Sequence, residues 1–305
     1  MLQILRRAQA PAPWLLRRLP PQDWAPVIDQ IVLDGRYTTL GIDALREGCR
    51  RLGVTQAGAC EIAYTRRSIG SQAVAPDGAL SWVKVAALRA ADTLAAERSE
   101  PGLPRLEGLP RPTILNATRW LNADYDYRAV QFSVAPSPTV ERSQWAGAAA
   151  FGVSGDWIAA LANTLHHLGG TPCSQYCADQ EQISRTIVRR FGDQAPHVVS
   201  EWRTAHGDLH WSNLTYPVLC LIDWESWGTA PRGYDAARLV AASCALPKFR
   251  RRLESAFASD LATSSGRVAQ LLWCAQLLDL IDIRLLDPFY RAPLAALARR
   301  VLARD

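Results

Sequence analysis

A chain of 305 residues is long enough for one large or two modest compact units, and its 49% apolar and 21% charged content excludes a disordered, collagenous or low-complexity protein. Thirty-four Lys and Arg against twenty-nine Asp and Glu leave a net charge of +5. The excess is scattered arginine, with Arg250, Arg251 and Arg252 the longest run, which reads as a solvated basic surface rather than a nucleic-acid-binding stripe. Seven cysteines form no CxxC pair, and Cys173 and Cys177 are four apart. That pattern fits reduced thiols in a cytoplasm better than a disulfide frame or a zinc site. No apolar stretch reaches the ~18 residues a membrane helix needs, and Pro11, Pro13 and Pro20 interrupt the first twenty residues too often for a signal peptide. The expectation is a soluble cytoplasmic protein with no nucleic-acid or membrane partner, its oligomeric state open.

In chain order, residues 38–53 read as an amphipathic helix with Leu40, Ile42, Leu45 and Leu52 on one side and Gly53 as its stop. Residues 61–64 read as a short strand and 66–71 as a small polar loop. Residues 72–75 and 80–85 form a plausible hairpin through the turn Pro76-Asp77-Gly78-Ala79. The Ala-rich residues 86–98 are strong helix formers, ended by Pro101. Residues 113–121 and 128–134 read as a second strand pair around the polar turn NADYD, and Pro136 and Pro138 mark a linker. Beyond it the pattern is helical. Asp156 is placed to cap a helix bearing Ile158, Leu161, Leu165 and Leu168 and stopped by Gly169-Gly170, and residues 179–192 and 235–305 follow as helices. The expected class is α+β, a small strand-rich lobe over residues 1–134 and a larger, mainly helical lobe over 135–305.

The informative stretch is HGDLHWSNLTYPVLCLIDWE, residues 206–225. His206, Asp208, His210 and Asn213 crowd into eight positions, and an apolar run from Val218 to Ile222, readable as a buried strand, delivers Asp223. A charge after a buried strand is costly unless paired or bound to a cation. A loop with Asp208 and Asn213 beside Asp223 offers three hard oxygen ligands, which suit magnesium held by one or two carboxylates plus substrate phosphates. Phosphoryl transfer needs this division: ligands for the metal, and a carboxylate left to orient the attacking hydroxyl.

HGDLHWSN with IDWE ten residues later resembles the aminoglycoside phosphotransferase and choline kinase branch of the protein-kinase-like fold, whose pattern is His-Gly-Asp-x-x-x-x-Asn, then Ile-Asp-aromatic-Glu. The resemblance implies a bilobal fold and transfer of a phosphoryl group from ATP or GTP, with Mg2+, to a small hydroxylated acceptor. Asp208 matches the catalytic aspartate, Asn213 and Asp223 the two magnesium positions, and Asp235 in APRGYDAARL the downstream aspartate. Continuous similarity covers residues 204–240. The small lobe should supply a lysine for the nucleotide's α/β-phosphates and a glutamate paired with it. Lys84, on LSWVKV, is the first half's only lysine and otherwise a surface residue; Glu97 is the candidate partner, with Glu100 or Asp92 as substitutes. No GxGxxG occurs. Ser68 and Ser71, in Ser-Ile-Gly-Ser, are either phosphate contacts or an ordinary turn, and the adenine hinge is expected near Ser133, Val134 and Ala135. In this pattern His206 braces the catalytic loop, His210 braces it or lines the acceptor cleft, Glu225 fixes the loop, and Trp211 is a candidate wall of the acceptor pocket.

Two rivals stand beside this reading. One is a zinc metallohydrolase with His206, Asp208 and His210 as alternate ligands on a strand, though Gly207 suits a loop better. The other is a catalytically silent nucleotide binder of the same fold, against which Lys84, Asp208, Asn213 and Asp223 are all retained. The acceptor is expected to carry little charge, with an antibiotic among the candidates. Residues 251–305 hold eight Arg against six Asp and Glu, and residues 139–205 five against six, no acidic surplus for a polycation. Folding would have to gather Glu201, Asp279, Asp282 and Asp287 to change that.

Overall fold

The computed structural model describes residues 35–62, 68–89, 106–122 and 125–303, and their contacts divide into two compact units. The first holds the described residues up to Arg89 and from 111 to Ala135; the second holds 106–110 and everything from Pro136. An antiparallel sheet together with many helices makes the chain α+β.

In the first unit, helix α1 (Gly35–Leu52) precedes strands β1 (Thr55–Gln56), β2 (Glu61–Ile62), β3 (Ser68–Val74), β4 (Leu80–Arg89), β5 (Ile114–Leu121) and β6 (Tyr125–Ser133). The sheet runs β1-β3-β4-β6-β5, with β2 also on β3, and every pairing is antiparallel. Period-two alternation buries Val83 and Val85 and leaves Trp82 and Lys84 half-buried on the other face. Helix α1 buries Leu45 and Cys49 against Ile69, Val85 and Ala129. The approach is close: a Cβ on Gly48 would lie 2.7 Å from Val85 Cγ2 and 3.0 Å from Ala129 Cβ.

Two expectations change here. Residues 86–89 continue strand β4 instead of starting a helix, because the ladder claims them: Ala86 pairs with Arg128, Ala87 with Tyr127, and Arg89 with Tyr125. Sheet hydrogen bonds override alanine's helix preference. The rest of that segment, with Glu97, Glu100 and Asp92, lies outside the described residues. Ser68 to Ser71 are likewise strand rather than loop, registered against residues 83–86 of β4, and the connection 63–67 is also outside the described residues.

The second unit has helices α2 (Ala148–Phe151), α3 (Gly155–Gly170) and α4 (Gln180–Phe191), a strand pair β7 (Trp202–Ala205) and β8 (Gly228–Pro231), then α5 (Tyr234–Ala242), α6 (Pro247–Ala256), α7 (Ala258–Leu261), α8 (Ser264–Asp282) and α9 (Arg291–Leu302). Helix α8 is buried nearly all round, Leu271, Trp273, Leu277 and Ile281 included, and packs against α4, α5 and α9. The cap of α3 is Ser154, whose hydroxyl accepts from Trp157 N at 3.2 Å; Asp156 sits in the first turn instead. Arg250 of the basic run is buried, paired with Glu254 at 2.5 Å, so that run is not a uniformly solvated face. No helix among the described residues is long and apolar enough to cross a membrane.

The helix–sheet contact at Gly48 yields a test. Gly48→Val places two methyls where Val85 and Ala129 already stand, and overpacking of this kind costs about 1–3 kcal/mol. The urea midpoint should fall with its slope unchanged; a variant as stable as the parent would contradict the packing.

Candidate active site

After strand β7 the chain enters the loop 206–213, and one buried carboxylate fixes its start. Asp235, in the first turn of α5, accepts from the backbone N–H of His206 at 2.7 Å (Oδ2) and of Gly207 at 3.1 Å (Oδ1). Gly207 has φ +86, and a Cβ there would stand 2.0 Å from the Ser226 carbonyl oxygen, so only glycine lets the loop and the turn after Asp223 approach this closely. Burial raises the Asp235 pKa from 3.8 to about 7, against the opposing pull of the two N–H donors.

His206 is fully buried. Its Nε2–H donates to the Ile222 carbonyl at 3.0 Å, its ring packs on Trp224 with centroids 4.6 Å apart, and its Nδ1 has no partner among the described residues. Burial holds its pKa at about 4, outweighing the nearby Asp208 and Asp223 charges. His206 is thus a neutral brace between the loop and the Asp223 strand. His210 is also neutral, pushed to about 3 by burial and then by the positive Arg238. Asn213 Nδ2 lies 3.3 Å from His210 Nε2, and the Nδ1 of His210 is 2.9 Å from the Ser212 hydroxyl. With Nε2 accepting, the proton sits on Nδ1. His210 Nε2 lies 3.9 Å from Asp208 Oδ2, a contact between a neutral ring and a carboxylate.

Asn213 and Asp223 are brought together by a short hairpin. Asn213 O accepts from Ile222 N at 3.0 Å, Leu214 bridges Leu221, and Thr215 N donates to Cys220 O at 3.1 Å. This replaces the expected buried strand over 218–222: Cys220 and Leu221 are buried, but Val218 is exposed at the hairpin's turn. Asn213 spends its amide N–H on the Asp208 carbonyl at 2.9 Å and on His210, which leaves Oδ1 without a hydrogen bond among the described residues. Asp223 is exposed and sits in the left-handed region at φ 68, ψ 61, an uncommon conformation for a non-glycine residue that functional sites often retain. An open amide oxygen and an exposed carboxylate at adjacent positions of one hairpin are hard donors of the kind magnesium takes. Glu225 lies half-buried in the single 3-10 turn after Asp223.

Other expected site residues are placed less directly. Lys84 is half-buried on the central strand β4. Ser71 is buried with its hydroxyl donating to Gly58 O and Gln72 O, and Ser68 Oγ is buried without a partner among the described residues. The Ser133 hydroxyl accepts from Thr113 N at 2.9 Å, tying the ends of β5 and β6, and Val134 is exposed. Trp211 is not an accessible wall. Its ring is fully buried against Phe249, and its Nε1–H donates to the Ser243 hydroxyl at 3.1 Å, so it anchors the loop to α5 and α6. The three zinc-ligand candidates do not converge: His206 is committed to Ile222, and no cluster of three or more His, Cys, Asp or Glu with metal-binding geometry occurs among the described residues.

Sequence reading passed over Arg238, one turn beyond Asp235 on α5, which is 1% exposed inside this site. Its signal was available: a lone arginine in the apolar run Ala236-Ala237-Arg238-Leu239-Val240.

Residues 138–268, which carry this site, match the sequence profile described as the phosphotransferase enzyme family, APH. No curated protein matches the sequence. Among solved structures, the chain is similar to a thermostable mutant of aminoglycoside phosphotransferase APH(4)-Ia in its apo form, at 13% identity over 84% of this chain and 98% of that one, TM-score 0.55. It is also similar to the macrolide 2'-phosphotransferase MphH of Brachybacterium faecium, at 14% identity over 86% and 99%, TM-score 0.53. A third likeness is to the amicoumacin kinase hAmiN in complex with AMP-PNP, Ca2+ and Ami, at 14% identity over 82% and 88%, TM-score 0.50. At these identities the shared property is the fold.

The titrating groups of the loop predict a pH dependence of stability. His206 and His210 have folded pKa values depressed below 6.5, so their contribution is present above pH 6.5 and is lost as pH falls through about 4 and 3. Asp235 runs oppositely, its contribution present below 3.8 and lost as pH rises through about 7. Between these limits two histidines outweigh one aspartate by one proton, so acidification destabilises by at most about 1.4 kcal/mol per pH unit. His206→Gln should flatten this slope. Urea midpoints between about pH 4.5 and 6.5 check it, and equal slopes in parent and variant would refute it.

Proposed function

We propose that this chain, whose residues 138–268 are a phosphotransferase-enzyme-family segment on a protein-kinase-like fold, moves the γ-phosphoryl group of a magnesium nucleotide onto a hydroxyl of a small acceptor. The observation that carries the reading is the loop itself: Asp208, Asn213 and Asp223 held in one frame by Asp235, His206 and the 213–222 hairpin.

Asp208 accepts the proton of the acceptor hydroxyl as its oxygen attacks the γ-phosphorus; the bond to the departing nucleoside diphosphate breaks as the new P–O bond forms. Asn213 Oδ1 and the Asp223 carboxylate are assigned to the metal, which when bound neutralises phosphate charge. Lys84 is assigned to the α/β-phosphates with Glu97 as its partner, and Ser133, Val134 and Ala135 to the nucleotide base; Ser68 and Ser71, buried on β3, are not assigned to phosphate. ATP or GTP is the donor. Seven free cysteines fit a reducing, cytoplasmic setting.

The acceptor is assigned a low net charge, and side-chain pairing supports this. The carboxylates able to make an acidic funnel are already engaged: Glu201 with Arg203 and Arg232, Asp279 with Arg189 and Arg190, Asp282 with Arg190 and Arg291, while Asp287 accepts from Phe289 N. An antibiotic hydroxyl is the first class to try, since the named neighbours include a macrolide phosphotransferase and an amicoumacin kinase.

Three outcomes follow. Asp208→Asn should abolish phosphoryl transfer and leave nucleotide affinity nearly intact; wild-type turnover would remove the assignment, while a parent that binds ATP without turning it over would be a silent binder. Asp223→Ala should weaken binding of a non-hydrolysable ATP analogue with magnesium in calorimetry; unchanged affinity and metal dependence would count against its metal role. Among hydroxylated compounds screened by mass detection of an added phosphoryl group, polycationic aminoglycosides should be poor acceptors, and KM for the preferred one should barely move between low salt and ~0.15 M, where screening acts beyond about 8 Å. Efficient turnover of a polycation with a steep salt dependence would overturn the charge assignment.

A further inference from the structure

Helix α5 carries two buried charges three residues apart, and so on one face, beside the loop 206–213 that the first of them clasps. Asp235 takes the backbone N–H groups of His206 and Gly207. Arg238, three residues on, is 1% exposed; its Nη2 donates to Gln144 Oε1, and its guanidinium carbon lies 4.6 Å from the Trp273 ring centroid. Its Nε and Nη1 have no hydrogen-bond partner among the described residues. Burial lowers its pKa only to about 10, so it is a full positive charge at neutral pH, attracted by Asp208 and repelling a proton from His210.

As a purely structural element this arrangement is poor. A buried guanidinium with two idle donors is costly, and an apolar side chain of similar volume would pack as well against Trp273. The retained charge has a use where negative charge collects: Asp208 sits in the loop, Asp223 in the hairpin, and the proposed reaction brings phosphates to them. We propose that Arg238 is a positioning residue for phosphoryl transfer, its buried guanidinium serving as the internal counter-charge that holds the Asp208 carboxylate in working position. The inference rests on the phosphotransferase reading. Gln144 and Trp273 fix the guanidinium without taking its charge: a neutral amide oxygen and an aromatic face leave the full cation to act on Asp208.

The test is magnesium-dependent ADP release from ATP by the full chain, with water as the acceptor. Arg238→Met removes the charge and keeps the volume; kcat should fall about tenfold or more while KM for ATP moves less than about threefold, and Arg238→Lys should recover part of the loss. Gln144→Glu is the second probe. It strengthens the anchor of Arg238 but competes with Asp208 for its charge, so melting temperature should hold or rise while kcat falls. A merely structural arginine would leave kcat intact in that variant. Wild-type kcat in a folded Arg238→Met, or in Gln144→Glu, overturns the proposal, and Gln144→Glu decides alone if Arg238→Met does not fold. A parent chain that releases no ADP with water or with any compound of the hydroxylated acceptor screen fails the phosphotransferase reading itself, and this inference falls with it.

Discussion

Two N–H···O bonds to a single buried carboxylate hold the loop 206–213 in place. Asp235 sits in the first turn of α5, where the helix dipole favours a negative charge, and spends one oxygen on each of His206 and Gly207. The loop cannot slide relative to the helix without leaving two buried donors unsatisfied, about 1–3 kcal/mol for each. Everything farther along depends on this anchor. Gly207 must adopt its positive φ there, and that brings the backbone against Ser226, just past Asp223.

A second constraint is that the loop's histidines are neutral. His206 links two backbone segments, giving its one ring proton to Ile222 and its face to Trp224. His210 meets Asn213 and Ser212 in the same uncharged state. Neither imidazole carries a charge there, whereas the buried Arg238 does, and it attracts Asp208. Elsewhere in this unit arginines pair with carboxylates in small networks such as Arg189 and Arg190 on Asp279, or Arg232 between Glu201 and Asp260. These pairings leave the region without an acidic surplus.

The sequence by itself determined which residue types the loop gathers and that a strand-rich stretch precedes a mainly helical one. His-Gly-Asp-x-x-x-x-Asn and Ile-Asp-Trp-Glu are local spacings, and Gly207, Asn213 and Asp223 sit in the backbone states such spacings require because φ and short-range hydrogen bonds are set by near neighbours. The hairpin over 72–85 was legible for the same reason, its Asp77-Gly78 turn being a local signal. Only the tertiary structure decided what depends on partners distant in sequence. Residues 86–89 joined the sheet because β6 completes their ladder some forty residues later. Trp211 went inward because Ser243 and Phe249 receive it. Arg238 became an internal charge because Gln144 and Trp273, from two other segments, close around it. Burial is a sum over the whole chain, and no window of local sequence contains it.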